Sequence, residues 1–145
     1  MSPTLEERFS IALHTTARSW RLALDRRLKF LGLSQAGWMT VAMVAKAGEP
    51  MSQAELATAV GVEAATMVPM LDRLVRDGLV VRQPSETDRR IKLIALTDAG
   101  QALYQKVRAE ADAFRTELLT GVDMAAIQQA TELLESLRNT VEAMR

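Results

Sequence analysis

Apolar residues recur at three- and four-residue steps over long stretches at both ends of the chain. The first stretch predicts a helix over Thr4–Leu31 with Gly32 as its C-terminal cap, and a shorter helix is predicted over residues 34–46. The same spacing predicts a long helix over Ala99–Leu119 and a last helix from Asp123 onward. One small domain cannot cover a helix as long as the first, so its apolar side indicates an interface.

The middle of the chain predicts a pair of short helices joined by a glycine. Ser52 and Glu55 have the spacing of a capping box, which predicts a helix over Gln53–Val60. Gly61 permits a tight turn, and the next helix runs from about Glu63 to Arg76. Its predicted buried side comprises Val68, Leu71, Leu74 and Val75. A short helix, a glycine turn and a second helix are typical of a helix-turn-helix.

Two β-prone runs follow this helix pair. Leu79–Arg82 and Ile91–Leu96 flank the segment Gln83–Arg90, which predicts a hairpin whose tip carries clustered cations. Thr97 is a suitable N-cap for the helix that comes next. Two helices followed by a basic-tipped hairpin predict a winged helix-turn-helix, which binds duplex DNA. The predicted fold class is therefore mainly α with a small β-hairpin wing.

Composition places the chain among ordinary globular proteins and excludes several kinds of chemistry. It has 145 residues, of which 48% are hydrophobic and 25% charged, enough for one domain. It has no cysteine, which excludes disulfides, thiolate nucleophiles and Cys-ligated zinc. No signal peptide and no apolar run of about 18 residues is visible, so we expect a soluble cytoplasmic protein with no membrane partner. A single histidine, with no metal-ligand cluster and no phosphate-binding glycine loop, predicts no enzymatic activity and no cofactor.

The net charge is zero, which by itself counts against binding to nucleic acid. The distribution is uneven, however. Residues 66–92 carry six bases against four acids, and residues 1–30 carry six against three. Residues 101–145 carry five bases against seven acids, so positive charge gathers in the first two thirds of the chain.

The order of these elements resembles the MarR family of bacterial transcription regulators over essentially the whole chain. The most specific segment is LDRLVRDGLVVRQPSETDRRIKLIALTDAG at residues 71–100, with Asp-Arg-Arg followed by Leu-Thr-Asp-Ala-Gly. The resemblance implies one MarR-type domain, in which residues 1–32 and 100–145 form dimerisation helices and residues 34–98 the DNA-binding lobe. It also implies a homodimer that reads a palindromic operator in double-stranded DNA. Such a regulator is expected to be a repressor, released by a small ligand such as an aromatic or phenolic acid.

Arg90 is the strongest single candidate for a DNA contact. The resemblance places it in the minor groove, oriented by Asp88, and the chemistry agrees because a narrow groove attracts arginine and a carboxylate can hold it extended. The alternative is a solvated charged turn. The candidates for phosphate contacts are Ser52, Gln53, Arg89 and Lys92. For Ser52 the alternative is pure capping.

The second helix of the pair supplies candidates for the major groove, namely Ala65, Thr66, Met67, Pro69 and Arg73. Arg73 either contacts DNA or pairs with Asp72 or Asp77. Pro69 stands where many family members carry a basic residue, and it has no amide to donate. It predicts weak direct base readout and greater weight on the wing, unless it is merely tolerated near the helix start.

A ligand pocket is predicted less specifically. His14, Arg18, Trp20, Arg21 and Trp38 offer rings for stacking and guanidinium groups for a carboxylate. The alternative is that the tryptophans are core or interface residues and the arginines surface charge. A different function also stays open, namely a winged-helix module that binds protein and has no specific DNA site, which the neutral charge favours.

Overall fold

The computed structural model describes residues 1–144. Its helices are α1 (Leu5–Arg27, followed by a 3-10 turn at Lys29–Leu31), α2 (Gln35–Ala47), α3 (Gln53–Val60), α4 (Ala64–Arg76), α5 (Asp98–Leu119) and α6 (Met124–Ala143). Its strands are β1 (Met51–Ser52), β2 (Val80–Pro84) and β3 (Lys92–Leu96). The chain divides into two compact units, Met1–Asp112 and the remainder from Ala113. The predicted class, mainly α with a small hairpin wing, is confirmed.

Side-chain caps set the starts of the helices. The amide of Glu55 donates to Ser52 Oγ at 3.1 Å, as the sequence predicts for α3. The reciprocal bond of a capping box forms at α1 instead, where Thr4 N donates to Glu7 Oε2 at 2.8 Å and Glu7 N donates to Thr4 Oγ1 at 3.2 Å. At Ser52 the backbone is engaged with the sheet, opposite Leu93. The sequence therefore located the start of α3 correctly.

The sheet has three antiparallel strands in the order β1-β3-β2. Met51 lies opposite Ile94, and Pro84 lies opposite Lys92. Strand β1 was not predicted because two residues are too few to show a periodicity. Strand β2 extends to Pro84, two residues beyond the predicted strand, which leaves a shorter tip at residues 85–91.

The core of the first unit lies among α2, α3, α4 and the sheet. Its fully buried side chains include Val41, Leu56, Met67, Leu71, Leu74, Val80 and Ile94. On α4, Met67 is completely buried whereas Val68 is 42% exposed. Met67, Leu71 and Leu74 are spaced by four and three residues and therefore share one side of the helix. The predicted buried side was right at Leu71 and Leu74 and wrong at Val68. The complete burial of Met67 contradicts its assignment as a DNA contact.

The start of α5 packs against the base of the wing. Thr97 N donates to the carbonyl of Leu79 at 3.1 Å, and Gly100 N donates to Thr97 Oγ1 at 3.0 Å. A Cβ on Gly100 would stand 2.1 Å from the carbonyl oxygen of Leu79. This contact is a physical reason for the glycine in Leu-Thr-Asp-Ala-Gly, because any side chain there would displace the wing backbone.

The long helices keep much of their apolar surface exposed. Helix α1 buries one residue, Leu24, and α6 buries none of its described residues. The exposed apolar side chains of the two helices include Leu5, Phe9, Ile11, Leu133, Leu137 and Val141. Among residues 1–144, no single helix is long and apolar enough to cross a membrane, and α3 and α4 pass that test only as a pair bent by 106°.

Candidate nucleic-acid interface

The tip of the wing is closed by hydrogen bonds between backbone groups and by hydrogen bonds from the backbone to a side chain. Ser85 N donates to the carbonyl of Ile91 at 2.9 Å, and Ile91 N donates to the carbonyl of Asp88 at 3.0 Å. Ser85 Oγ accepts from the amides of Thr87 and Asp88 at 3.3 and 3.4 Å. The tip is therefore a defined turn, and Asp88 has a fixed position on it. The sequence analysis missed this role of Ser85, although a serine three residues before an aspartate in a tip is a recognisable turn signal.

Asp88 holds Arg90 by three hydrogen bonds. Arg90 Nε and the Arg90 amide donate to Asp88 Oδ1 at 3.1 and 3.0 Å, and Arg90 Nη2 donates to Oδ2 at 3.0 Å. The bidentate geometry fixes the plane of the guanidinium group, yet the Arg90 side chain stays 91% exposed. These bonds, the side-chain ones first, hold the pKa of Asp88 below its ordinary value, and the carboxylate raises the pKa of Arg90. The ion pair has the predicted geometry, while its contact with DNA stays a prediction.

A second ion pair joins the wing to α4. Arg82 Nη2 lies 2.7 Å from Asp72 Oδ1, which ties β2 to the middle of the helix. This pair was not predicted from the sequence. The signal was the two-residue period of a strand, because Arg82 follows the buried Val80 by two residues and lies on the same side of β2. Asp72 is thus engaged by Arg82, and within residues 1–144 Arg73 pairs with neither Asp72 nor Asp77.

A surface depression of about 600 Å³ runs between the start of α3, the first turn of α4 and the wing. Four of the predicted phosphate and groove candidates line it, namely Ser52, Gln53, Arg90 and Lys92. Glu55 is the one acid on its wall. The fold thus brings together residues that lie about forty positions apart in sequence. Arg89 is exposed on the tip but does not line this depression.

The remaining groove candidates lie on the exposed side of α4. Ala65, Thr66, Pro69 and Arg73 are all exposed, in contrast to Met67. Pro69 is the sixth residue of the helix, well past the first turn, and the helix continues to Arg76. Its ring nitrogen cannot donate to the carbonyl of Ala65, so the helix loses one backbone bond there. Pro69 therefore lies in the interior of the helix and not in its first turn, where proline is tolerated.

The predicted ligand-pocket residues lie apart from this interface. Trp38 is buried, and its Nε1 donates to Asp25 Oδ1 at 2.9 Å, which fastens α2 to α1. That contact favours the alternative interpretation of Trp38 as a core residue. His14, Arg18 and Arg21 are exposed along α1, and Trp20 is half-buried; none of the four lines the depression between α3, α4 and the wing.

No group of three or more His, Asp or Glu side chains is placed to hold a metal ion in the described part of the chain. Two carboxylates of the wing and α4, Asp72 and Asp88, are held in ion pairs by Arg82 and Arg90. The exposed groups of this lobe include cations, among them Arg73, Arg89 and Lys92, and also carboxylates, among them Asp77 and Glu86.

The chain is similar to known regulators in sequence and structure. The model of the MarR family matches residues 33–92. The crystal structure of the transcriptional regulator PA3341 has a TM-score of 0.86 and 38% identity, covering 93% of this chain and 98% of that one. A MarR-family regulator from Rhodococcus sp. RHA1 has a TM-score of 0.81 and 26% identity, covering 94% and 96%. CouR from Rhodococcus jostii RHA1, bound to p-coumaroyl-CoA, has a TM-score of 0.79 and 26% identity, covering 94% and 95%. With this sequence similarity over nearly its whole length and a winged helix-turn-helix of matching architecture, the chain belongs to the MarR family of transcription regulators.

Proposed function

We propose that the protein is a homodimeric, sequence-specific DNA-binding regulator of the cytoplasm, a repressor that a small ligand releases from its operator. The observation that carries this proposal is the fixed and exposed guanidinium of Arg90 at the end of a rigid wing. Arginine inserted into a narrow minor groove is attracted by its negative potential. Preorganisation by Asp88 reduces the side-chain entropy lost on binding.

Local charge supports DNA binding in spite of the zero net charge. Asp72 and Asp88 are held by Arg82 and Arg90, so two of the four acids in residues 66–92 are engaged. The cations of this segment that make no ion pair within the described residues are Arg73, Arg76, Arg89 and Lys92. Their exposed charge is available to phosphates, which fix the position of a protein on duplex DNA but carry no sequence information.

The geometry suggests how a half-site would lie. Helix α4 enters the major groove with its exposed side, and the wing reaches the neighbouring minor groove with Arg90. One phosphate strand follows the depression between α3 and the wing, where Gln53 and Lys92 contact it and the free amides at the start of α3 favour an anion. Ser52 caps that helix and lines the same depression, so one hydroxyl serves both purposes.

Dimerisation would be provided by the long helices. The exposed apolar side chains of α1 and, separately, of α6 leave surfaces that a second copy of the chain can cover. Two winged lobes would then read two half-sites of a palindrome about one helical turn apart. Sedimentation of the purified protein measures this directly, and a monomer at micromolar concentration would contradict it.

An aromatic ligand is the best-supported effector. CouR, a structural relative at 26% identity, binds p-coumaroyl-CoA in its crystal structure. In this chain the exposed His14, Arg18 and Arg21 lie on one side of α1, and the half-buried Trp20 lies about 100° or more around the helix from them. These groups provide cations for a carboxylate or phosphate and a ring for stacking. Addition of the correct ligand is expected to weaken the protein–DNA complex.

Selection of bound duplexes from a random pool tests the function. We expect an enriched inverted repeat, bound with a steep dependence on salt. If the dimer neutralises about eight phosphates, the logarithm of the association constant falls with the logarithm of salt concentration at a slope near −7. No enriched sequence together with a flat salt response would favour the protein-binding module.

A further inference from the structure

We propose, on the basis of the proposed DNA-binding function, that α4 recognises thymine by its 5-methyl group. In each half-site, the base pairs that face the first two turns of this helix are then A·T pairs with their thymine methyls against Ala65, Thr66 and Pro69. The occupant of this surface is thus a thymine-rich major groove, and the wing adds shape and charge recognition beside it.

The exposed residues at the start of α4 carry almost no hydrogen-bonding groups. In chain order they are Ala64, Ala65, Thr66, Val68 and Pro69. The N-terminal residues of a recognition helix are those that contact base edges. Side chains that read guanine, adenine or cytosine by bidentate or direct hydrogen bonds are Arg, Lys, Asn, Gln, Asp and Glu. None of these stands among the exposed residues of the first two turns, and Thr66 alone offers a hydroxyl.

The position of Pro69 strengthens this argument. Ala65 and Pro69 are four residues apart and so share one side of the helix, opposite the fully buried Met67 and Leu71. The proline ring lacks an amide, so it presents only carbon atoms to a base edge. The major groove displays one apolar group, the methyl of thymine, and apolar side chains contact it. An apolar helix side and that methyl group are therefore complementary.

One carboxylate of α4, Asp72, shares the side of the helix that carries Ala65 and Pro69, and it does not interfere with this recognition. The exposed Glu63 precedes the helix and lies on a different side. Asp72 follows Pro69 by three residues and would be the cytosine reader of the helix, because a carboxylate accepts from the cytosine amino group. It is held by Arg82 of the wing strand at 2.7 Å. The ion pair fixes the carboxylate on the wing side of α4. The cations Arg73 and Arg76 lie beyond it, toward the end of the helix, where phosphates pass.

Replacing thymine by deoxyuridine tests the inference, because the change removes the methyl group and keeps the base pairing. The duplex is the inverted repeat obtained by selection, bound by the full-length dimer. At each thymine that faces α4, we expect the replacement to weaken binding about fourfold, because one buried methyl group is lost from the contact. A symmetrical pair of replacements should weaken binding about sixteenfold. The same replacement in the base pairs under the wing is the control, since the wing enters the minor groove and thymine methyls lie in the major groove.

A variant distinguishes methyl contact from a general change in the DNA. Pro69→Asn restores a backbone amide at an exposed position, so the fold is retained, and its amide side chain can read adenine. We expect this variant to lose part of the deoxyuridine effect and to select adenine at the base pair concerned. Equal affinity for the thymine and deoxyuridine duplexes, or G·C pairs opposite α4, would overturn the inference while leaving DNA binding intact. If selection enriches no sequence at all, the proposed function fails as well.

Discussion

The wing tip and the exposed side of α4 belong to the same lobe and differ in almost every physical property. The tip is polar, and Ser85 and Asp88 hold its shape by hydrogen bonds. Over the first two turns of α4, the exposed side around Pro69 is mostly apolar, and its nearest polar contact is the ion pair of Asp72 with Arg82. The tip thus provides one oriented charge, whereas the helix provides a surface of carbon atoms. If the proposed function is right, this neutral protein divides DNA recognition between an electrostatic contact at the wing and apolar contacts at α4.

The largest effect is expected from Arg90→Ala. Loss of the oriented guanidinium should weaken specific binding by about 1–3 kcal/mol per wing, with the free energy of unfolding unchanged because the side chain is exposed. Titration of the selected duplex measures it. Arg89→Ala is the matched control, since that arginine has no carboxylate partner in the described residues and should only reduce the salt slope by about one. Equal losses in the two variants would remove the special role of the braced arginine.

Pro69→Ala should change the stability of the protein more than its affinity for DNA, the reverse of what is expected for Arg90→Ala. The helix regains the backbone bond to Ala65, and the intrinsic cost of proline in a helix interior, up to about 3 kcal/mol, is relieved in part, so we expect the free energy of unfolding to rise by about 1–2 kcal/mol. Affinity for DNA should fall only slightly, because alanine keeps an apolar surface. Chemical denaturation compared with wild type measures the gain. A destabilised variant would show that the proline ring has packing contacts that its exposure does not suggest.

The ion pair between Asp72 and Arg82 should contribute less. Both side chains are partly exposed, so their coupling is expected to be below about 1 kcal/mol in the free energy of unfolding. Its effect should be clearer in DNA affinity, because it joins the wing to α4. A double-mutant cycle with Asp72→Ala and Arg82→Ala measures the coupling. Arg108→Ala on α5 is a control for general charge effects, and a loss of affinity as large in that variant would contradict the joining role.

The smallest effect concerns the titration of Asp88. Arg90 holds the pKa of this carboxyl below its ordinary value, so the ion pair persists at neutral pH and is lost as the pH falls through that lowered pKa. In the Arg90→Ala variant, the pKa should return upward toward the usual range for aspartate. A carbon-detected NMR titration of the Asp88 carboxyl measures the shift. An unchanged pKa in the variant would show that the pair of Asp88 and Arg90 does not persist in solution.

Local signals in the sequence determined most of the fold. The caps at Ser34, Ser52 and Asp123 begin α2, α3 and α6 as predicted, because a side-chain oxygen near a free amide acts within three residues. The resemblance to the family located the wing and its Asp-Arg-Arg. Strand β1 was not predicted from the sequence, because its residue Met51 pairs with Ile94, more than forty positions away in the chain.

The candidate site was less predictable for related reasons. The phase of α4 depends on which side chain the core accepts, and Met67 fits there whereas Val68 does not. Met67, Leu71 and Leu74 fit helical spacing as well as Val68, Leu71 and Val75 do, so periodicity alone does not choose between the two sets. The partner of Asp72 was also non-local, since Arg82 comes from a strand and not from the next turn of the helix. Sequence spacing therefore found the exposed charges but not all of their partners.

The close approach at Gly100 has a mechanical consequence. With no room for even one carbon atom between α5 and the carbonyl of Leu79, the start of this helix and the root of the hairpin form a single stiff part. This contact, the backbone bond from Thr97 N to the carbonyl of Leu79 and the side-chain cap from Gly100 N to Thr97 Oγ1 disfavour a hinge at that point. If the wing moves relative to the rest of the lobe, the first turn of α5 is therefore expected to move together with it.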